Sequence, residues 1–181
     1  MSETPTSAPS KYLITIVGPT AVGKTALAIK LANQLDCPIL SADSRQFFKE
    51  MSIGTAKPTA DELAQAEHHF VDFLFVEDEY SAGQFERDGL KLLEDLFQNK
   101  DVVILSGGSG LYVNAVLSGF DELPSSPEAR TELMARLDKE GLEALYAQLI
   151  ELDPIRAAKV DPSNMQRVIR SLEVCLGTGK P

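Results

Sequence analysis

Gly18-Pro19-Thr20-Ala21-Val22-Gly23-Lys24-Thr25 decides how this chain is read. It follows an apolar run, Tyr12-Leu-Ile-Thr-Ile-Val17, and opens into Ala26-Leu-Ala-Ile-Lys-Leu-Ala32. Strand, glycine loop and helix in that order form the context in which G-x-x-x-x-G-K-[ST] cradles phosphate. Gly18 and Gly23 let the backbone curl so that successive N–H groups face an anion, where a Cβ would intrude. The helix opening near Lys24 adds its positive end. Lys24 brings a mobile charge to an outer phosphate, and Thr25 offers a hydroxyl to Mg²⁺. A glycine-rich turn that binds nothing is the plainer reading. The filled motif and both flanks argue against it.

Working outward, residues 37–42 read as a second strand with Asp43-Ser44-Arg45-Gln46 at its C-terminal end. Ligands of open α/β sheets sit beyond the carboxyl ends of strands, so Asp43 is expected to face the glycine-loop crevice. Asp and Ser also cap turns, and position alone leaves Asp43 open between cap and catalyst. Ile53-Gly-Thr-Ala-Lys-Pro58 is turn-rich; Thr59 with Glu62, and Ser81 with Gln84, match capping boxes. The second box opens a helix with a core stripe of Phe85, Leu92, Leu93, Leu96 and Phe97. His68-His69 precedes a strand expected over residues 70–75. Two adjacent histidines without a third ligand suit packing or hydrogen bonding better than a metal. Asp101-Val-Val-Ile-Leu105 is a further strand.

Alternating strands and helices imply a three-layer parallel α/β sheet. The 101–105 run leads into Ser106-Gly-Gly-Ser-Gly-Leu-Tyr112, where many P-loop ATPases and GTPases carry an Mg²⁺-holding aspartate. Its absence argues against a nucleotide hydrolase. The second glycine turn reads either as backbone approaching a ligand or as a tight turn needed for packing.

Beyond Gly119 the pattern becomes helical. Leu123-Pro-Ser-Ser-Pro127 is a linker-like break, and Ser126-Pro127 makes a good N-cap and first helical position. Helices are expected over 128–138, 141–152 and 164–176, with Gly177 as C-cap. In the last, Met165, Val168, Ile169, Leu172 and Leu176 make an apolar stripe opposite Gln166, Arg167 and Arg170. That polar face is either simply solvated or a phosphate-binding fork. The expected organisation is a loose Ser/Thr/Pro-rich tail over 1–10, an α/β core over 11–119 and a helical annex over 120–181.

The chain has 181 residues, 44% of them apolar, and a net charge of −10. No run is long enough to span a bilayer, and nothing resembles a signal peptide. Cys37 and Cys175 read as buried thiols in a reducing cytosol. Nucleic-acid binders usually carry a basic field, so contact with RNA needs a local patch.

Taken together, Gly18–Thr25, Asp43-Ser-Arg-Gln46, Ile53-Gly-Thr-Ala-Lys-Pro58, Tyr80-Ser81, Gly107-Gly-Ser-Gly-Leu-Tyr112, Gln166-Arg-Val-Ile-Arg170 and Thr178-Gly-Lys-Pro181 resemble the bacterial tRNA dimethylallyltransferase family. The motifs occur in order along nearly all of residues 11–181. Val22 stands where many members have Ser, Arg45 replaces a common Met, and Ser109 replaces a common Thr. The resemblance implies a P-loop kinase-like core with a helical insertion gripping the tRNA anticodon stem-loop. It implies transfer of a dimethylallyl group from its diphosphate to N6 of adenosine 37. Family members continue past the Thr-Gly-Lys-Pro motif, so the resemblance implies a C-terminally truncated chain.

By the same resemblance, residues 18–25 hold the diphosphate with Mg²⁺ on Thr25, and Lys24 stabilises the leaving group. Asp43 becomes the general base. Asp43, Ser44, Arg45, Gln46, Ser109, Arg130, Gln166, Arg167, Val168, Ile169 and Arg170 are implied to touch tRNA. A cytoplasmic monomer is expected. Competing readings are an adenylate isopentenyltransferase acting on free AMP, a small-molecule kinase, and a fragment that binds diphosphate without turnover.

Overall fold

The computed structural model describes residues 10–119 and 126–180. All but Ser10 of the expected tail, and most of the 123–127 break, lie outside those residues. The chain divides into two compact units, Met1–Phe120 and Asp121–Pro181.

In the first unit the elements are β1 (Tyr12–Val17), α1 (Lys24–Leu35), β2 (Ile39–Ser41), α2 (Ala60–Leu63), β3 (His68–His69), α3 (Ala82–Leu96), β4 (Val102–Gly107) and α4 (Gly110–Ser118). The four strands form one parallel sheet in the order β1-β4-β2-β3. Side chains alternate across it, as the pleat requires. Ile39 and Ile104 pack on one face with Ala28, Ile29 and Ala32 of α1. Leu40, Val103 and Leu105 face the other layer with Phe85 and Leu93 of α3 and Val113 and Val116 of α4. The sheet is thus covered on both sides, the three-layer arrangement expected from alternation.

Both capping boxes are present: Thr59 and Glu62 start α2, and Ser81 and Gln84 start α3. One expected strand is displaced. The apolar residues 70–75 do not form the strand; the histidine pair before them does, pairing with Ile39 and Leu40 of β2. Phe70 and Asp72 have φ of 61° and 53°, a left-handed backbone that no strand can continue. The rings of Phe70 and Phe73 turn inward onto Phe47 instead. His68 Nδ1 lies 2.8 Å from the Ala66 carbonyl and His69 Nε2 lies 3.0 Å from Glu67 Oε1.

In the second unit α5 (Pro127–Leu152) contains the two expected helices, joined at Gly141 where φ is 82°. It is followed by α6 (Pro154–Ala157) and α7 (Met165–Thr178). Ser126 caps α5 by accepting the Ala129 N–H. The core joins Leu133, Leu145 and Leu149 to Val168, Ile169, Leu172 and Cys175. Cys175, not Leu176 or Met165, completes the α7 stripe; the latter two are each 40% exposed. Gly177 lies inside α7 and Gly179, with φ of 67°, is the true C-cap. A Cβ at Gly177 would stand 3.0 Å from Ser126 Cβ, so that glycine serves close packing. Among the described residues no helix is long and apolar enough to cross a membrane.

Among the described glycines the closest approach is at Gly107, where a Cβ would collide with the Ala42 carbonyl. Gly107→Ala is expected to lower stability by about 1–3 kcal/mol or more, the scale of overpacking. Gly110→Ala, where nothing lies within 4 Å of the added atom, should leave stability unchanged or slightly raised. Urea unfolding of both variants checks the contrast.

Candidate functional site

The glycine loop has the shape that its sequence requires. Gly23, the residue before α1, has φ of 94°, and Ala21 has φ of 65°. These turns set the loop ahead of the helix N-terminus, where unpaired N–H groups favour an anion. Pro19, Thr20, Ala21 and Val22 are exposed along the loop. Lys24 Nζ donates to the Pro19 carbonyl at 2.7 Å, folding the lysine over its own loop. Thr20, Gly23, Lys24 and Thr25 line a cleft of about 330 Å³ together with Asp43 and Ser106.

Three chain segments converge there. A Cβ at Gly108 would stand 3.5 Å from Asp43 Oδ2, 3.5 Å from the Gly18 carbonyl oxygen and 3.9 Å from Lys24 Nζ. The acid, the phosphate loop and the second glycine turn therefore face one spot. Asp43 caps its own turn and also lines the cleft. Its Oδ1 accepts the Arg45 N–H at 3.3 Å, a cap on its own turn, while Oδ2 turns to the cleft. In the second glycine turn Gly107 is needed for packing, and Gly108 faces the acid, the Gly18 carbonyl and the lysine.

Neighbouring side chains hold the Asp43–Gln46 turn in place. Ser44 N–H donates to Ser109 Oγ at 3.1 Å, and the two hydroxyls are 3.3 Å apart. Arg45 is exposed. Gln46 is 9% exposed. Its Oε1 accepts from Ser41 Oγ at 2.9 Å, and its Nε2 donates to the Thr55 and Ala56 carbonyls at 3.3 and 3.0 Å. This amide is an internal strut between the turn and the 53–58 segment, and the residue also lines the cleft.

Phe47, the next residue, meets five aromatic rings with centroids 5.3–6.4 Å away. Sequence reasoning missed this anchor, though an aromatic directly after a polar turn is the visible sign. Among those rings, burial and the Asp88 carboxylate push the Tyr80 phenol well above its ordinary range, and burial raises Tyr112. Lys57 Nζ donates to the Phe48 carbonyl at 2.8 Å and pairs with Asp72 at 2.5 Å, tying down the same region.

In the helical unit, the cap Asn164 accepts the Arg167 N–H at 3.1 Å and starts α7. Gln166 and Arg167 are exposed, and Arg170 is half-buried. Val168 and Ile169 are buried in the core at 0% and 2% exposure. Their side chains have no surface to offer, which corrects the expectation that they touch tRNA. Arg130 and Arg170 both pair with Glu173, at 3.5 and 2.7 Å. Glu173 was also missed; its place three residues after Arg170 was the available signal.

Thr25 offers one hard oxygen, the donor type that Mg²⁺ takes. Among the described residues no group of three or more His, Cys, Asp or Glu could hold a metal ion alone. A single protein oxygen would suffice for an ion that takes most of its ligands from substrate phosphates and water.

An IPP transferase family model matches residues 46–181. The chain belongs to this family. The tRNA dimethylallyltransferase of Cytophaga hutchinsonii is 51% identical over 173 residues, covering 95% of this chain and 57% of the relative. The protein of the same name from Flavobacterium psychrophilum is 50% identical over 177 residues, covering 94% and 58%. The chain thus spans somewhat over half the length of the curated relatives it matches. The full-length tRNA isopentenylpyrophosphate transferase of Bacillus halodurans superposes with a TM-score of 0.60 at 38% identity, covering 95% of this chain and 57% of that one. A eukaryotic dimethylallyltransferase solved acting on tRNA gives 0.80 at 28% identity, covering 94% and 43%. The three-layer core of this chain is of the P-loop kinase-like type shared by those structures.

Lys24→Ala is expected to weaken binding of inorganic diphosphate about 10- to 100-fold, the loss of a charged hydrogen bond of roughly 1.5–3 kcal/mol. Isothermal titration calorimetry measures it; unchanged affinity would remove the lysine from the anion site.

Proposed function

We propose that the protein transfers a dimethylallyl group from dimethylallyl diphosphate to N6 of adenosine 37 in the anticodon stem-loop of tRNA. The observation that carries the reading is the convergence of Asp43 Oδ2, Lys24 Nζ and the Gly18 loop on the spot beside Gly108. A phosphate loop alone would serve many reactions. A carboxylate opposite it suits one in which an anion departs as a proton is taken up. The names of the relatives supply the donor and acceptor.

The diphosphate lies in the cradle of residues 18–25, with N–H groups and Lys24 directed at its oxygens. The N6 amine attacks the allylic carbon, forming C–N as the C–O bond to diphosphate breaks. Charge then grows on the departing oxygens, where preorganised donors stabilise the transition state most. The N6 proton passes to Asp43 Oδ2 while Oδ1 stays on the Arg45 N–H, so the acid receives it without leaving its turn. Mg²⁺, when bound by Thr25 and the diphosphate, neutralises charge on the leaving group. Ser44, Arg45 and Ser109 border the acid and are the unit's contacts to the acceptor.

For tRNA, the exposed arginine face of α7 is the local basic patch that a net charge of −10 otherwise denies. Forked guanidinium groups suit phosphate oxygens.

Supplying dimethylallyl diphosphate with unmodified tRNA or with AMP separates the acceptors: prenylated tRNA is expected, and prenylated AMP alone would overturn the proposal. Asp43→Asn should retain donor binding and lose turnover by on the order of 10²-fold or more. Arg167→Ala should weaken tRNA binding and lower the slope of log affinity against log salt by about one phosphate contact. Binding titrations between low and high salt read that slope.

A further inference from the structure

Among the described residues Glu173 is the one buried carboxylate, 1% exposed. Removing a carboxylate from water is costly unless charged and hydrogen-bonding partners surround it. Here Oε1 accepts the Ser126 N–H at 3.1 Å and Arg170 Nη1 at 2.7 Å, while Oε2 faces Arg130 Nη1 at 3.5 Å. One side chain thus joins the start of α5 to α7 and grips an arginine from each. The arginines are not buried with it: their side chains remain 54% and 40% exposed.

At about 100° per residue on a helix, Glu173 lies about 60° to one side of Arg170, and Ser171 about 100° to the other. Val168, Ile169, Leu172 and Cys175 occupy the opposite, core-facing side. Glu173 therefore stands at the border between core and arginine face, from which it can fix side chains that remain open to solvent.

We infer that Glu173 is a positioning residue for RNA binding, holding the Arg130 and Arg170 guanidinium groups as a preset pair of phosphate forks. This rests on the tRNA reading above. Long arginine side chains lose rotamer freedom when they bind, and a partner that holds them beforehand reduces that loss. Electrostatics alone gives the opposite sign. A carboxylate beside a polyanion repels it, so removing the charge without any loss of positioning would tighten binding.

That difference in sign makes the test. In the full-length protein, Glu173→Gln is expected to weaken binding of an unmodified tRNA anticodon stem-loop by about 5- to 20-fold, the scale of coupling between touching side chains. Affinity for dimethylallyl diphosphate should not change, which also reports an intact first unit. Arg130→Ala should cost clearly less in the Glu173→Gln background than in the parent protein. A purely structural role would lower the unfolding temperature but leave the two costs additive. If Glu173→Gln does not fold, the Arg130→Ala and Arg170→Ala pair replaces it: arginines sharing one clamp should show non-additive losses of affinity.

Unchanged or tighter RNA binding by Glu173→Gln, or additive losses in both cycles, would overturn the inference while leaving the tRNA reading standing. A parent protein that binds no stem-loop would overturn both together.

Discussion

The first unit depends on how closely the backbones of β2 and β4 meet at their C-terminal ends. Ala42 N–H donates to the Ser106 carbonyl at 2.8 Å, Ser109 N–H reaches the Ala42 carbonyl at 3.3 Å, and no Cβ fits at Gly107 between them. In the same parallel register Val17, the last residue of β1, stands opposite Gly107. Three strand ends are thus level, so the three loops leaving them share one crevice. This is the general geometry of ligand sites in open α/β sheets. Here it is enforced by backbone contact rather than by a large side chain.

Level strand ends would be of little use if the turn carrying the acid could swing. Two unlike supports hold it. Gln46 binds the turn to the 53–58 segment through polar contacts, and Phe47 fastens it from below in an aromatic cluster. The polar contacts supply direction and the rings supply bulk burial, on the order of 150–250 Å² per aromatic residue. The carboxylate between them uses one oxygen for its turn and keeps the other for the cleft. A side chain fixed in this way needs little reorganisation when charge moves.

The helical unit solves a different problem. On the proposed tRNA reading, it shows positive charge to a polyanion in a chain whose overall charge is strongly negative. Burying an acid beneath two arginines looks wasteful by charge count. Under the inferred role geometry counts as well, because held guanidinium forks recognise phosphate better than loose ones. Gly177 lets Ser126 come close enough for its N–H to donate to the carboxylate.

Much was legible in the sequence because it was local. The phosphate loop, both capping boxes, the Ser126-Pro127 start of α5 and the break at Gly141 are decided within a few residues by backbone freedom and capping. The apolar stripes that make the three layers follow from periodicity. Tertiary packing decided the rest. It made the histidine pair, rather than the apolar 70–75 run, the strand, because the phenylalanines were needed around Phe47. It buried Val168 and Ile169 inside a motif expected to face RNA, and turned Gln46 inward. It also joined Glu173 to Arg130, 43 residues away. Local sequence sets which dihedrals and caps are cheap, whereas the partners of a buried polar group are known only once distant segments have come together.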